Sequence, residues 1–158
     1  MAADTLNRAG VRQALATVLA TKLTGVGGSA EEVFDHQVGD FGTKNPVVVV
    51  TVAGSEPELF DTMGDDAAFQ QVDLNVFVFV LYTATDDAGN VVWTEEESED
   101  RLDLIHKQII DALLDNPSLG GVVDEVKPNG RSTIVPYAPG GIPYRVELIP
   151  LRAQKAHA

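Results

Sequence analysis

The side chains best suited to chemistry are three histidines, His36, His106 and His157. None belongs to an HxxxH pair or to a spacing typical of a metal site. His106 flanks the apolar stripe of a helical segment, where a solvated imidazole is a simpler reading than a catalytic one. His36 has Asp35 and Asp40 close in sequence. These three have the donor types for a divalent ion, yet a polar loop explains them better. The run 86–90 (Asp-Asp-Ala-Gly-Asn) shares part of a calcium-loop pattern. It lacks the alternating ligands and the closing glutamate, so a turn fits it better. Glu95, Glu96 and Glu97 are consecutive, and on a helix they point in different directions instead of converging. The glycine-rich stretch 25–29 follows a helix, not a strand, and no Lys-Ser/Thr pair follows it. It reads as a helix stop, not a phosphate cradle. There is no GxSxG, no cysteine and no convincing Ser/His/Asp set. The expectation is a protein without catalytic residues, cofactor or metal.

The elements carry more information than the reactive groups. Residues 69–85 (FQQVDLNVFVFVLYTAT) alternate as a strand does, with a period of two. One parity, Val72, Leu74, Val76, Val78, Val80 and Tyr82, is apolar throughout. The other begins polar with Gln71, Asp73 and Asn75, then turns apolar with Phe77, Phe79 and Leu81. A strand of this length that changes character halfway suggests a sheet reaching past its own subunit. Residues 47–52, after Pro46, form a β-branched run expected to be covered on both faces. Residues 5–23 read as an amphipathic helix capped by Asp4 or Thr5. A second helix starts at 94–100 and carries Leu102, Ile105, Ile109 and Leu113 before Asn116-Pro117 stops it. Residues 81–85 and 91–93 are expected to form a hairpin arm. Strands are also expected at 32–38, 122–127, 132–137 and 143–151, with Pro128-Asn129-Gly130 as the turn between the second and third of these. The few apolar residues of 54–68 (Leu59, Phe60, Met63) suit one short docked turn. The fold class is therefore α+β: a mostly antiparallel sheet of about four strands plus a long β-hairpin, with two amphipathic helices on one face. One domain is expected, with loose termini at 1–4 and 153–158.

Length and charge set the limits. The 158 residues suit a single domain, and 44% of them are hydrophobic, enough for a packed core. The longest apolar run, 76–82, is far short of the about 20 residues a membrane helix needs. The first helix has Arg8, Arg12 and Lys22 but no apolar block followed by a cleavage site, so it does not read as a secretory leader. A formal net charge of −13 argues against a basic nucleic-acid surface. The acids are clustered: six and no bases over 56–73, then eight and one base over 86–103. Residues 127–158 hold five bases against one acid. Solvated loops explain this asymmetry, and complementary faces for neighbours are the more specific reading.

Taken together, these segments resemble the tail terminator (tail completion) proteins of long-tailed bacteriophages, over about residues 6–152. The resemblance rests on the N-terminal helix VRQALATVL, the segment FGTKNPVVVVTVAG and the long alternating strand with its acidic hairpin. It also rests on the helix SEDRLDLIHKQIIDALLDN and the closing GGIPYRVELIPLRA. It implies a virion protein, present in the host cytoplasm during assembly, whose subunits form a hexameric ring. Such a ring would cap the tail tube protein, stop its polymerisation and dock a neck or head-completion protein. DNA would pass through its lumen without sequence-specific binding, and no membrane is involved.

Three surfaces are then candidate interfaces. They are the hairpin around Tyr82, Val91 and Trp93, the polar parity Gln71, Asp73 and Asn75, and the basic closing segment with Arg145, Arg152 and Lys155. Trp93 better suits a partly buried core position, and the basic segment better suits a solvated strand edge and tail. The alternatives are another connector component, a non-viral scaffold protein, or a small cytoplasmic enzyme or ligand-binding domain using Tyr137, Tyr144 or His106 in a cleft.

Overall fold

The structure is a computed structural model and describes residues 6–57, 69–85, 88–138 and 141–156. Helix α1 (Arg8–Leu23) starts at Asn7, whose side chain accepts from the backbone N–H groups of Ala9 and Gly10. Asp4 and Thr5, expected as caps, are outside the described residues. Val11, Leu15, Leu19 and Leu23 are buried at steps of four, with Ala16 beside them. Lys22, in the last turn, is exposed. The helix stops in the glycine-rich turn, where the Ala30 N–H returns to the Leu23 carbonyl at 3.0 Å. A Cβ on Gly28 would come within 2.0 Å of that same carbonyl oxygen. Close backbone approach, not ligand binding, accounts for this glycine.

Strand β1 (Glu32–Phe34) runs parallel to β2 (Val47–Pro57). The remaining ladders of the sheet are antiparallel: β2 with β3 (Phe69–Leu81), β3 with β8 (Tyr144–Ala156), and β8 with both β6 (Glu125–Pro128) and β7 (Thr133–Tyr137). The order is β1-β2-β3-β8-β6, with β7 also beside β8. A short separate ladder joins β4 (Ala84–Thr85) to β5 (Val91–Trp93), and α2 (Glu95–Asp115) follows. Its N-terminus has a complete capping box between Thr94 and Glu97.

The class is α+β, as expected, but the sheet is mixed and has six strands instead of about four. Four details differ from the sequence reading. The long strand ends at Leu81, so the hairpin arm is reduced to two paired positions of β4 and β5. Pro128-Asn129-Gly130 does not turn one strand back on another. β6 pairs with residues 151–154 of β8 and β7 with 144–148, so the two are halves of one interrupted edge strand. β8 continues to Ala156, so 153–156 is strand and not loose tail. The observed β1 is shorter than the expected 32–38. The proposed docked turn within 54–68 falls mostly outside the described residues, as do Asp86, Asp87 and His157.

Both helices pack on one face of the sheet. Val48 and Val50 of β2, Val72 to Val80 at alternate positions of β3, and Ile149, Leu151 and Ala153 of β8 meet the helical stripes there. Burying each such side chain stabilises by about 1.5–3 kcal/mol. The valine-rich run of β2 is indeed shared between faces, because Val47 and Val49 belong to a second cluster on the opposite side.

Candidate interaction surface

That opposite side has two halves. At one end of it, Val47, Val49, Phe79, Tyr144 and Val146 form a small core, with Phe34, Phe41, Phe77 and Leu81 packed against it. The residues come together because register places Phe79 opposite Val47 and Val146, and Leu81 opposite Tyr144. The loop after β1 folds over the β2 side. Its Phe41 meets the Phe79 ring at 4.8 Å between centroids and the Tyr144 ring edge-on at 6.0 Å. Phe79 also meets Tyr144 and Tyr137 edge-on at 6.0 and 6.2 Å. Such offset geometries are the favoured ones for ring quadrupoles.

Beyond Phe41 the loop stops short of β7, leaving a trough of about 620 Å³. Phe77, Phe79, Tyr144 and Val146 line it from β3 and β8, Val135 and Tyr137 from β7, and residues 37–41 from the loop. Its outer rim is apolar and exposed: Tyr137 is 51% exposed, Ile142 50% and Val135 44%. Asp40 is the acidic residue of the lining, which among the described residues contains no Lys, Arg or His. Its Oδ1 accepts from the Gly42 N–H at 2.8 Å, which fixes the carboxylate. Burial first, and the Asp40 charge second, push the Tyr144 phenol above its ordinary pKa.

The other half of this face is polar. Arg152 spans to Asp73 through Nε at 2.9 Å, and the Gln154 side-chain amide donates to Gln71 at 3.1 Å. Asn75 is between Thr51 and Pro150 in the ladder. The polar parity therefore does share one face, as alternation required, but two of its three members are engaged by β8. Both partners of the Asp73–Arg152 pair are about one-third exposed, so it contributes roughly 0–1 kcal/mol.

The basic closing residues do not converge. Arg152 is on this face, whereas Arg145 reaches Glu99 of α2 at 2.9 Å on the helix side. Lys155 alternates onto the helix side too, opposite Gln70 in the ladder. Tyr82 bonds Glu95 at 3.3 Å. Val91 is exposed, but Trp93 turns inward against the main core. The Trp93 indole N–H donates to Ser98 Oγ at 2.6 Å, and Arg101 covers the ring at 5.5 Å. The satisfied indole packs partly against the core, the core position weighed in the sequence, and it also lines a shallow cleft with Arg101 and Leu104.

The histidines are separate from the trough. His106 Nδ1 meets Glu147, a buried carboxylate of β8, at 2.9 Å on the helix side. His36 pairs with its neighbour Asp35 at 2.6 Å in the open, and this bond holds the Asp35 carboxyl below its ordinary pKa. Asp40 turns to Gly42 instead, and among the described residues no three His, Asp or Glu side chains are grouped for a metal. Tyr137 and Tyr144 do share one cleft, as the ligand-binding alternative required.

Phe41, Asp40, Val135 and Ile142 were missed as site residues. The apolar turn of the second β3 parity at Phe77 and Phe79 signalled an apolar patch on that face, but no periodicity marks a loop folding over it. Comparison with models of known protein families and with curated proteins finds no match to this chain.

Proposed function

We propose that the chain is a ring-forming structural subunit of a bacteriophage tail, a tail terminator that caps the tail tube and docks it to the neck. The observation that carries this reading is β7. All five of its residues are exposed, among them Ile134, Val135 and Tyr137, and among the described residues it pairs only with β8. An apolar strand at a sheet edge is a template for another chain; Pro136 removes one N–H from β7 and so blunts part of it, while its apolar side chains stay exposed. Next to it lies a sheet face that neither described helix covers. A head-to-tail contact between that edge and a different surface of the next copy closes into a ring when the rotation permits. The −13 charge suits a passage that must not hold DNA. Each subunit would meet the tube protein on one side and a neck or head-completion protein on the other.

Polymerising tail tubes with and without the purified chain is the direct test. With it, tubes should stop at a uniform length and bear a ring at one end. Tubes that overgrow regardless would overturn the proposal. Position relative to the portal separates a terminator from another connector component.

A second reading, a small ligand-binding domain, draws on the trough and its two tyrosines. A stable monomer that binds a small organic molecule there would favour it. His106 takes no part in that version, because it is on the opposite face of the sheet.

A further inference from the structure

We infer that the aromatic trough is a docking site for a basic, otherwise apolar segment of another protein, with one guanidinium or ammonium group held among Phe79, Tyr137 and Tyr144 and Asp40 as its counter-charge. The lining combines clustered aromatic rings, Tyr137 half exposed and Phe79 and Tyr144 nearly buried beneath it, with a single acid and, among the described residues, no base. Ring faces and a nearby carboxylate attract the same kind of group, a cation on an apolar stem. The carboxylate is fixed by Gly42, and its charge is felt at the Tyr144 phenol, so it addresses the trough and not only solvent.

The size and rim decide what carries the cation. A volume of about 620 Å³ is within the range of ligand sites. The exposed apolar rim of Val135, Tyr137 and Ile142 continues past it. A small amine would leave that rim wet, whereas a peptide segment would cover it. A second copy is a poor occupant of the trough itself, because a surface of −13 overall does not complement the Asp40 carboxylate; the outer edge of β7 remains the contact between copies. Two of the bases of β8 are also already engaged, Arg145 with Glu99 on the helix side and Arg152 with Asp73. The inference is independent of the tail reading; within that reading, the occupant would belong to the tube or neck protein.

The test is a nuclear magnetic resonance titration of the isotope-labelled full chain. The probe is a capped pentapeptide, leucine-valine-arginine-valine-leucine. Its controls are the same peptide with citrulline, which keeps the shape without the charge, and n-butylguanidinium. The arginine peptide should perturb the Phe79, Tyr137 and Tyr144 resonances and bind about tenfold more tightly than the citrulline peptide at low salt. Asp40→Asn should remove that difference. Tyr137→Ala should weaken both peptides while the melting temperature holds, since its side chain is half exposed. The inference is overturned by equal affinity for the two peptides, by indifference to Asp40→Asn, by shifts mapping elsewhere, or by no binding at millimolar peptide. Butylguanidinium binding as tightly as the peptide would make this a small-ligand site and overturn it too. Self-association that Tyr137→Ala abolishes, with no peptide binding, would make the face a contact between copies, with the same consequence. None of these results depends on whether the chain limits tube length.

Discussion

Ser98 shows how much one small polar side chain organises here. It is fully buried at the start of α2. Its hydroxyl accepts from the Trp93 indole and is within hydrogen-bond reach of the carbonyls of Leu81, Tyr82 and Thr94. It therefore ties the end of β3, the short β5 and α2 together. Ser98→Ala should cost about 1–3 kcal/mol in urea unfolding, because it strands the Trp93 N–H and at least one carbonyl. Trp93→Ala should lower stability by a comparable or larger amount, consistent with its inward position. Loss of assembly with unchanged stability would return Trp93 to the surface role. Tyr144 gives a second residue-scale outcome. Its folded pKa is raised above the unfolded value of about 10, so folding favours the neutral phenol. That contribution is fully present below pH 10 or so and is lost as pH rises through the folded value. In an ultraviolet phenolate titration, Asp40→Asn should move the Tyr144 step downward only part of the way, because burial is the larger cause. No movement would separate Asp40 from the trough.

At the scale of elements, β3 carries the fold and β7 carries the exposed edge, and substitutions should divide accordingly. Val78 is fully buried between the helices and the sheet. Val78→Asp leaves an unpaired charge there, which should abolish folding in circular dichroism. Ile134 is 44% exposed on β7. Ile134→Lys should shift stability by no more than about 0.5 kcal/mol yet impair any assembly that uses this edge. Equal damage from both would deny β7 a separate role. The β3 alternation and both helices were legible because burial imposes a period of two or of about 3.6 on the sequence itself. The long β2 valine run was legible as covered twice, and the second cluster around Phe79 explains why. The joining of β6 to β7 was not. Pro128, Asn129 and Gly130 favour a turn locally, but β8 is long enough to pair with both flanking strands, so the local signal produces an interruption instead. The hairpin arm was overestimated for a related reason: alternation continues in the letters past Leu81, while Ser98 holds the strand end against α2.

For the whole molecule, the packed face is stability and the uncovered face is opportunity. The candidate site was legible as an apolar change on one strand parity and as a cleft that could use Tyr137 or Tyr144. Phe41 and Asp40 come from a loop whose course depends on tertiary packing, and the basic residues of β8 split between faces because of strand parity instead of gathering by sequence proximity. The −13 charge leads to an outcome in solution. Self-association should be weak at low ionic strength and rise with added salt, since screening shortens the repulsion to about 8 Å at physiological ionic strength. Analytical sedimentation at both conditions checks this, and a tight ring already formed at low salt would show that charge does not control assembly. An image of the chain in its natural particle would decide whether it forms a ring. The expected result is a closed ring of identical copies at the head-proximal end of a tail, with the β7 edge covered by the next copy and the trough by a segment of the tube or neck protein. A solitary copy with that face bare, or one converting a small molecule in its trough, would contradict it.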